Sequence, residues 1–152
     1  MQLDDEIDIR HFLPHREPML MVDKLSHINE NEVSTVFEIK QNTLFVQDGK
    51  LNEFGLIENA AQTCSGIVAK SYFFDENNQE KENVKVIGFI SGIKELNVFD
   101  FPPVGSIIHS KSNLISQFNS TDYTICTMKC STFLEDKLLF DAVINLYIQE
   151  DK

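Results

Sequence analysis

The chain of 152 residues is acidic, with 24 Asp and Glu against 13 Lys and Arg and a formal net charge of −11. This balance argues against nucleic acid as the main partner, because phosphate binding needs a basic surface. A hydrophobic content of 42% with 24% charged residues is ordinary for a globular protein. The length allows a sizeable core and predicts a single domain over residues 1–152.

Membrane insertion and export are not indicated. No apolar run reaches the roughly 18 residues that a membrane-spanning helix needs, and the opening MQLDDEIDIR lacks the apolar core of an export signal. Cys126 and Cys130 lie about 13 Å apart if extended, too far for a disulfide. We therefore expect a cytoplasmic protein with reduced thiols, in which Cys64 is a small core residue.

The first half of the chain predicts a short helix, two strands and one long helix. The short helix covers residues 5–12 and ends before Pro14, and a strand covers residues 19–27. After the polar turn INENE, residues 33–40 place Val33, Thr35, Phe37 and Ile39 on one face of a second strand. Residues 53–74 form the long helix, and its apolar positions wrap most of its circumference, which is typical of a buried helix.

The second half predicts four strands. The polar loop DENNQEKEN ends the helix, and strand-like runs follow at residues 84–99, 106–116, 123–133 and 138–149. The order is strand, strand, buried helix and four strands. An antiparallel sheet wrapped around one central helix packs these elements economically, so we predict an α+β fold.

One carboxylate, Glu58, lies inside the apolar run FGLIENAAQ near the start of the long helix. It could be a helix-start acid that reaches water and interacts favourably with the helix dipole. Its neighbours are apolar, however, and burying an unpaired carboxylate costs several kcal/mol. A helix that carries such an acid favours a general acid or base. Gln62, one turn later on the same face, could orient the acid or a substrate.

His15 is the second candidate for catalysis. It lies between Pro14 and Arg16 in a segment unsuited to regular helix, and the alternative is a loop histidine bound to backbone. His11, His27 and His109 are weaker candidates. No histidine pair has metal-ligand spacing, so we expect no zinc site. The absence of a nucleophile elbow, a P-loop and a dinucleotide fingerprint predicts no bound cofactor.

Three stretches resemble a known enzyme family. LPHREPMLMVD, at residues 13–23, resembles the L-P-H-R-x-P-x-L-x-V-D opening of the FabZ-type 3-hydroxyacyl-acyl-carrier-protein dehydratases. GLIENAAQTCSGIVA is similar to their central helix, and VIGFISGIKELNVFDFPPVGSII is similar to their next strand, proline turn and strand. The resemblance implies the hotdog fold, in which a long helix is wrapped by an antiparallel sheet.

The stretch before the helix departs from that family. The FabZ-type enzymes carry H-F-P-x-x-P-x-x-P-G there, with the catalytic His, whereas this chain has NTLFVQDGKLNEFG. The replacement is similar to D-G-x-L-P-x-W-x-x-x-E-Y-M-A-Q of a FabZ-like subgroup associated with aryl-polyene and flexirubin pigment synthesis. The matching residues are Asp48, Gly49, Leu51, Glu58, Ala61 and Gln62, while Asn52 stands in place of Pro and Phe54 in place of Trp.

The resemblance implies dehydration of 3-hydroxyacyl thioesters on acyl carrier protein. Glu58 would donate a proton to the leaving hydroxyl, and the helix start at Gly55 would bind the enolate-like oxygen. With the usual His absent, His15 is the remaining imidazole for the base. Two alternatives stay open: an inactive or weakly active hotdog subunit that binds acyl chains or partners an active dehydratase, and an acyl thioesterase.

The resemblance also implies partners. We expect a homodimer or higher even oligomer, or a hetero-oligomer with a second dehydratase, because the active cleft of the family lies between two subunits. Carrier proteins are acidic like this chain, so overall electrostatic steering should be weak. A local cluster such as Lys81 and Lys85, or Arg16 near the cleft, would have to provide the attraction.

Overall fold

The fold consists of one long helix and one large antiparallel sheet. The computed structural model of the chain describes residues 2–151, with residues 2–8 and 11 described by their backbone alone. Helix α1 is Glu53–Phe73, and a 3-10 turn spans Ile9–His11. The strands are β1 Gln2–Asp8, β2 Lys24–Ile28, β3 Glu32–Glu38, β4 Val46–Gln47, β5 Lys50–Leu51, β6 Val86–Val98, β7 Ile107–Asn119, β8 Tyr123–Leu134 and β9 Lys137–Glu150.

Seven strands form the sheet in the order β1-β2-β3-β7-β8-β9-β6, and every pair is antiparallel. Helix α1 contacts the inner face of β3, β7, β8 and β9. Alternate residues point towards the helix and are buried, such as Ile144, Leu146 and Ile148 on β9. This is the α+β hotdog arrangement that the sequence predicted.

A short hairpin sets the start of α1. Strands β4 and β5 are joined by Asp48 and Gly49, whose φ angles of 53° and 76° form a two-residue type I′ turn. Gly55 lets this hairpin pack closely, because a Cβ there would lie 2.3 Å from Leu51 Cδ1. Asn52 caps α1 by accepting hydrogen bonds from the amides of Phe54 and Gly55 at 3.0 and 3.2 Å.

Helix α1 is buried nearly all round, as its composition predicted. It crosses the middle of the core, where even its polar side chains Asn59, Gln62 and Thr63 are almost fully shielded from water. Neither α1 nor any other helical segment of residues 2–151 is long and apolar enough to span a bilayer.

Most predicted elements are confirmed, and their ends agree within three residues. Two differ from the structure. The helix predicted over residues 5–12 is wrong, since residues 2–8 are extended and pair with β2, which supplies backbone partners that a solitary short helix would lack at its ends. The strand predicted over residues 19–27 begins only at Lys24, because the backbone of Met19 and Met21 bonds to side chains of α1 instead.

All three cysteines are buried free thiols, so the prediction that Cys64 is a core residue is confirmed. Burial raises the pKa of Cys126 to about 11. The pKa of Cys130 is raised by its hydrogen bond with Cys64 and by burial. The thiols of Cys126 and Cys130 therefore remain protonated at neutral pH, and all three cysteines serve as small apolar core residues.

Candidate active site

The fold brings Glu58 and His15 together. Glu58 Oε1 lies 4.0 Å from His15 Nε2, and the two side chains are 24% and 31% exposed. This separation is too long for a direct hydrogen bond. A substrate oxygen could still lie about 2.8 Å from both atoms, which is an ordinary hydrogen-bond length.

Gln62 holds the segment that carries His15 against α1. Its side-chain oxygen accepts a hydrogen bond from the amide of Met21 at 2.8 Å. Its side-chain nitrogen donates to the Met19 carbonyl and to Glu58 Oε1, both at 2.8 Å. The prediction that Gln62 could orient the acid therefore has a direct structural basis. Glu58 is partly exposed and hydrogen-bonded, so the expectation of an unpaired buried carboxylate is wrong.

Asn59 is a second anchor, which the sequence analysis missed. Its side-chain nitrogen donates to the Met21 carbonyl at 2.7 Å, and its oxygen accepts from Ser110 Oγ at 2.7 Å. Ser110 also bonds Thr132 at 2.8 Å, so the network joins the His15 segment to α1, β7 and β8. An amide in a helix that is apolar all round needs buried partners, and that signal in the sequence could have indicated Asn59.

His15 is suited to act as a base. Burial lowers its pKa below the ordinary value of 6.5; the nearby Glu58 carboxylate opposes this effect and Arg16 adds to it. Its Nδ1 atom is buried and has no hydrogen-bond partner among the described residues. The imidazole is therefore unprotonated at neutral pH and can accept a proton.

Arg16 and Gly55 lie near the acid and the base, but the hydrogen bonds that their N–H groups make are not to the side chains of Glu58 and His15. The Arg16 guanidinium donates to the carbonyls of Leu13 and His15 at 2.9 and 2.8 Å, and the side chain is exposed. The Gly55 amide donates to the side chain of Asn52. A substrate oxygen could use the Gly55 amide only by replacing Asn52, so the roles of both residues in substrate binding stay predictions.

Two adjoining cavities lie beside the pair. Glu58 and His15 line a cavity of about 210 Å³ between α1 and β6. An apolar cavity of about 290 Å³ adjoins it, and both share His15, Ser65 and Gly88. A Cβ at Gly88 would lie 3.5 Å from Ile148 Cγ1, an ordinary contact, so packing within the chain does not require glycine there. Gly88 lines both cavities, and its lack of a side chain leaves more space in each.

One wall of the cavities is an open sheet edge. Strand β6 pairs with β9 on one side only, and none of its 13 residues is buried in the described chain. Ile93 and Leu96 are apolar and exposed on this strand. A strand with a free edge and uncovered apolar residues is typical of a surface that pairs with another chain.

His27 and His109 lie away from this site. His27 Nε2 is 3.2 Å from Asn29 Nδ2 at a polar turn, and His109 is exposed on β7. The side chain of His11 lies outside those the structure describes. Within the described part of the chain, no group of three His, Cys, Asp or Glu residues could hold a metal ion.

Comparison with known proteins identifies the family. Residues 7–152 match the ApeP-like family, described as ApeP dehydratase. The chain belongs to the ApeP-like dehydratases. The resemblance of its sequence to the aryl-polyene branch of the FabZ-like dehydratases is thus confirmed. No curated protein matches the sequence.

Solved structures share the fold at low sequence identity. A chain of the dehydratase heterocomplex ApeI:P from Xenorhabdus doucetiae has a TM-score of 0.72 at 18% identity, covering 96% of this chain and 93% of that one. A sigma28-regulated virulence protein from Campylobacter jejuni has a TM-score of 0.60 at 11% identity, covering 88% and 79%. A hypothetical thioesterase with coenzyme A from Streptococcus pneumoniae has a TM-score of 0.55 at 12% identity, covering 84% and 86%.

The pKa of His15 should depend on Glu58. In an NMR titration, the pKa of His15 is expected below 6.5, and Glu58→Gln should lower it further because the carboxylate that favours the protonated ring is removed. The unfolded chain then binds more protons than the folded one, so His15 makes the protein less stable as the pH falls below about 6.5. A His15 pKa above 6.5, or one that rises in Glu58→Gln, would contradict this electrostatic account.

Proposed function

We propose that this ApeP-like dehydratase removes water from 3-hydroxyacyl thioesters carried by acyl carrier protein. Glu58 is the proton donor and His15 the base. The observation that carries the proposal is the pairing of Glu58 Oε1 and His15 Nε2 at 4.0 Å beside an adjoining apolar cavity. The pathway that the family resemblance suggests is aryl-polyene or flexirubin-like pigment synthesis.

The reaction requires two proton transfers at neighbouring carbons. His15 takes the proton beside the thioester carbonyl, and the electron pair forms the C2–C3 double bond. The C3–O bond breaks, and the hydroxyl leaves as water with the proton of the protonated Glu58 carboxyl group; the proton taken by His15 then passes to Glu58 and restores both groups. Because the two groups leave from adjacent carbons, an acid and a base a few ångström apart can reach both, as the Glu58–His15 separation allows.

The surroundings support an acyl substrate. The cavity next to the acid and base is lined by Leu13, Ala69, Phe73 and Ile148, which suit the apolar tail of an acyl chain. A surface cleft of about 810 Å³ adjoins this cavity and contains Arg10, Arg16, Lys81 and Lys85 beside three acidic residues. With four basic and three acidic residues this cleft is close to neutral, so an acidic carrier protein would meet less repulsion there than from a chain whose net charge is −11 as a whole.

A second candidate function is a subunit that completes an active dehydratase. The stretch before α1 lacks the His of FabZ-type enzymes, and β6 leaves one wall of the cavity open. The similar Xenorhabdus structure is described as a dehydratase heterocomplex, so a second dehydratase is a reasonable partner. In that case the partner would supply the base, and His15 would only line the cavity.

Glu58→Gln tests the assignment of the acid. The variant keeps an oxygen for the Gln62 hydrogen bond but cannot donate the proton, so turnover should fall roughly a hundredfold or more. Loss of water from a 3-hydroxyacyl carrier protein is measured by mass spectrometry, which also separates hydrolysis by a thioesterase. Glu53→Gln, in the first turn of the same helix, is the matched control and should leave turnover unchanged.

His15→Ala separates the two candidate functions. If His15 is the base, the variant loses turnover while its melting temperature stays near that of the unchanged protein. If a partner supplies the base, the isolated chain is inactive and becomes active only with that partner, and His15→Ala then has little effect. Full activity of Glu58→Gln would contradict both mechanisms, since both use this acid.

Charge reversal should locate the carrier-protein surface. Lys81→Glu with Lys85→Glu is expected to weaken carrier-protein binding at least tenfold, most clearly at low salt where electrostatic attraction is strongest. Lys111→Glu with Lys129→Glu makes the same change in net charge on exposed positions of β7 and β8 and serves as the control. Equal binding by the two double variants, measured by calorimetry, would exclude the cleft as the docking surface.

The open edge of β6 should be an assembly surface. We expect two chains to pair through this strand, which would cover Ile93 and Leu96 and close the cavity. Ile93→Lys with Leu96→Lys should halve the mass measured by light scattering, while Ile107→Lys, at a similarly exposed position on β7, should not. A monodisperse monomer of the unchanged protein at micromolar concentration would contradict the expected pairing.

A further inference from the structure

A row of apolar side chains crosses the outer face of the sheet, opposite α1. Phe118, Ile125, Tyr147 and Phe89 are aligned across β7, β8, β9 and β6. Tyr123 joins the row: its ring centroid lies 5.2 Å from that of Tyr147 and 6.3 Å from that of Phe118. The Phe89 and Tyr147 rings stack at 5.0 Å. These four aromatic residues and Ile125 form the aromatic face.

The aromatic face is exposed and lies in an uncharged region. Phe118, Phe89 and Ile125 are 59%, 53% and 37% exposed. The outward-facing positions on either side of the row hold no charged residue in the described sheet; they are Ser116, Thr127, Asn145 and Gly92 on one side and Gln149 and Ile87 on the other. On a chain with 24 acidic residues, this is a surface where two copies can meet with little charge repulsion.

We propose that the aromatic face binds the aromatic face of a second copy of this chain. The order of residues in the row is self-complementary. A two-fold axis between β8 and β9 would place Phe118 of one copy against Phe89 of the other, and Ile125 of one against Tyr147 of the other. Self-complementarity of this kind is what a symmetric two-fold interface requires, because the same surface must serve on both sides.

This contact is separate from pairing through the β6 edge. The aromatic face covers the flat outer side of the sheet and extends to β7, three strands away from β6. At a strand spacing of about 4.8 Å, Phe118 lies about 14 Å from the edge strand. A chain that adds to the β6 edge therefore cannot cover Phe118, and the two contacts can form independently.

The area is sufficient for a stable contact. The partly exposed rings and Ile125 present roughly 400 Å² of apolar surface on each copy, since a large aromatic side chain offers about 150–250 Å² in full. Two copies would bury about 800 Å² of apolar surface. Homodimer interfaces are about 65% apolar, so the whole contact would be near 1,200 Å², within the range of specific interfaces.

Sedimentation of the full chain tests the proposal. Phe118→Ser with Ile125→Ser should halve the mass of the unchanged protein, and Ile107→Ser, an exposed apolar position elsewhere on β7, should leave it unchanged. Phe118→Lys alone is a second variant in case the double variant fails to fold, because its side chain is mostly exposed. A chain that carries all four substitutions, Phe118→Ser, Ile125→Ser, Ile93→Lys and Leu96→Lys, should be a monomer.

The outcomes separate this contact from the edge pairing and from other partners. If Ile93→Lys with Leu96→Lys alone reduces the chain to a monomer, the aromatic face does not bind a second copy. An unchanged mass in both Phe118 variants would also overturn the proposal. If these variants keep their mass but lose binding to acyl carrier protein or to a second dehydratase, the face serves that protein instead. Dehydration activity, measured in the same samples, reports separately on the function proposed above.

Discussion

The candidate site depends on the three hydrogen bonds of one buried amide, the side chain of Gln62. Two of these bonds hold the backbone of Met19 and Met21, and the third holds the Glu58 carboxylate. The segment that carries His15 has no regular secondary structure, so these bonds and those of Asn59 fix its position on α1. Breaking the bond to Met21 would leave its buried amide without a partner, at a cost of about 1–3 kcal/mol. The side chain of Gln62 thus links the position of the His15 segment to the distance between His15 and Glu58.

An open strand edge explains why this site looks incomplete in one chain. Glu58 and His15 are only partly buried, and the wall opposite α1 is the exposed strand β6. Water that reaches the pair would weaken its electrostatic interactions, whereas a second chain along β6 would exclude that water. Such a chain would also cover Ile93 and Leu96, which are apolar and exposed in the chain described here. Assembly and catalysis are therefore coupled in this account through the same strand.

The sequence predicted the elements with the longest repeating patterns best. The apolar circumference of α1 and the alternation along β3 and β9 identify those elements, because burial repeats every 3.6 or every two residues. The N-terminal strand was missed because its pairing with β2 is a long-range contact that no local pattern shows. The β4–β5 hairpin was missed although Asp48-Gly49 is a strong turn signal, since each strand has only two residues.

The site was predicted in part, for similar reasons. Glu58 and Gln62 stand out as polar residues four apart in an apolar helix, and their hydrogen bond follows from that spacing. The approach of His15 required knowing where an irregular loop folds, which a resemblance of motifs indicated and the local pattern did not. Asn59 was missed because its side chain bonds to the Met21 carbonyl, which is far away in sequence. Ser65, which lines both cavities, was missed because its hydroxyl bonds to a carbonyl of its own helix. Gly88 was missed because its contribution is an absent side chain.

The most direct test of this account compares the pKa of His15 in two backgrounds. Glu58→Gln is made in the unchanged chain and in Gln62→Met, which keeps the length of the side chain but loses its hydrogen bonds. If Gln62 holds His15 beside the acid, Glu58→Gln lowers the pKa of His15 in the unchanged chain and lowers it less in Gln62→Met, where only the Asn59 bond to Met21 still holds the segment. The same lowering in both backgrounds, measured by NMR titration, would show that the pair forms without Gln62 and would contradict the account.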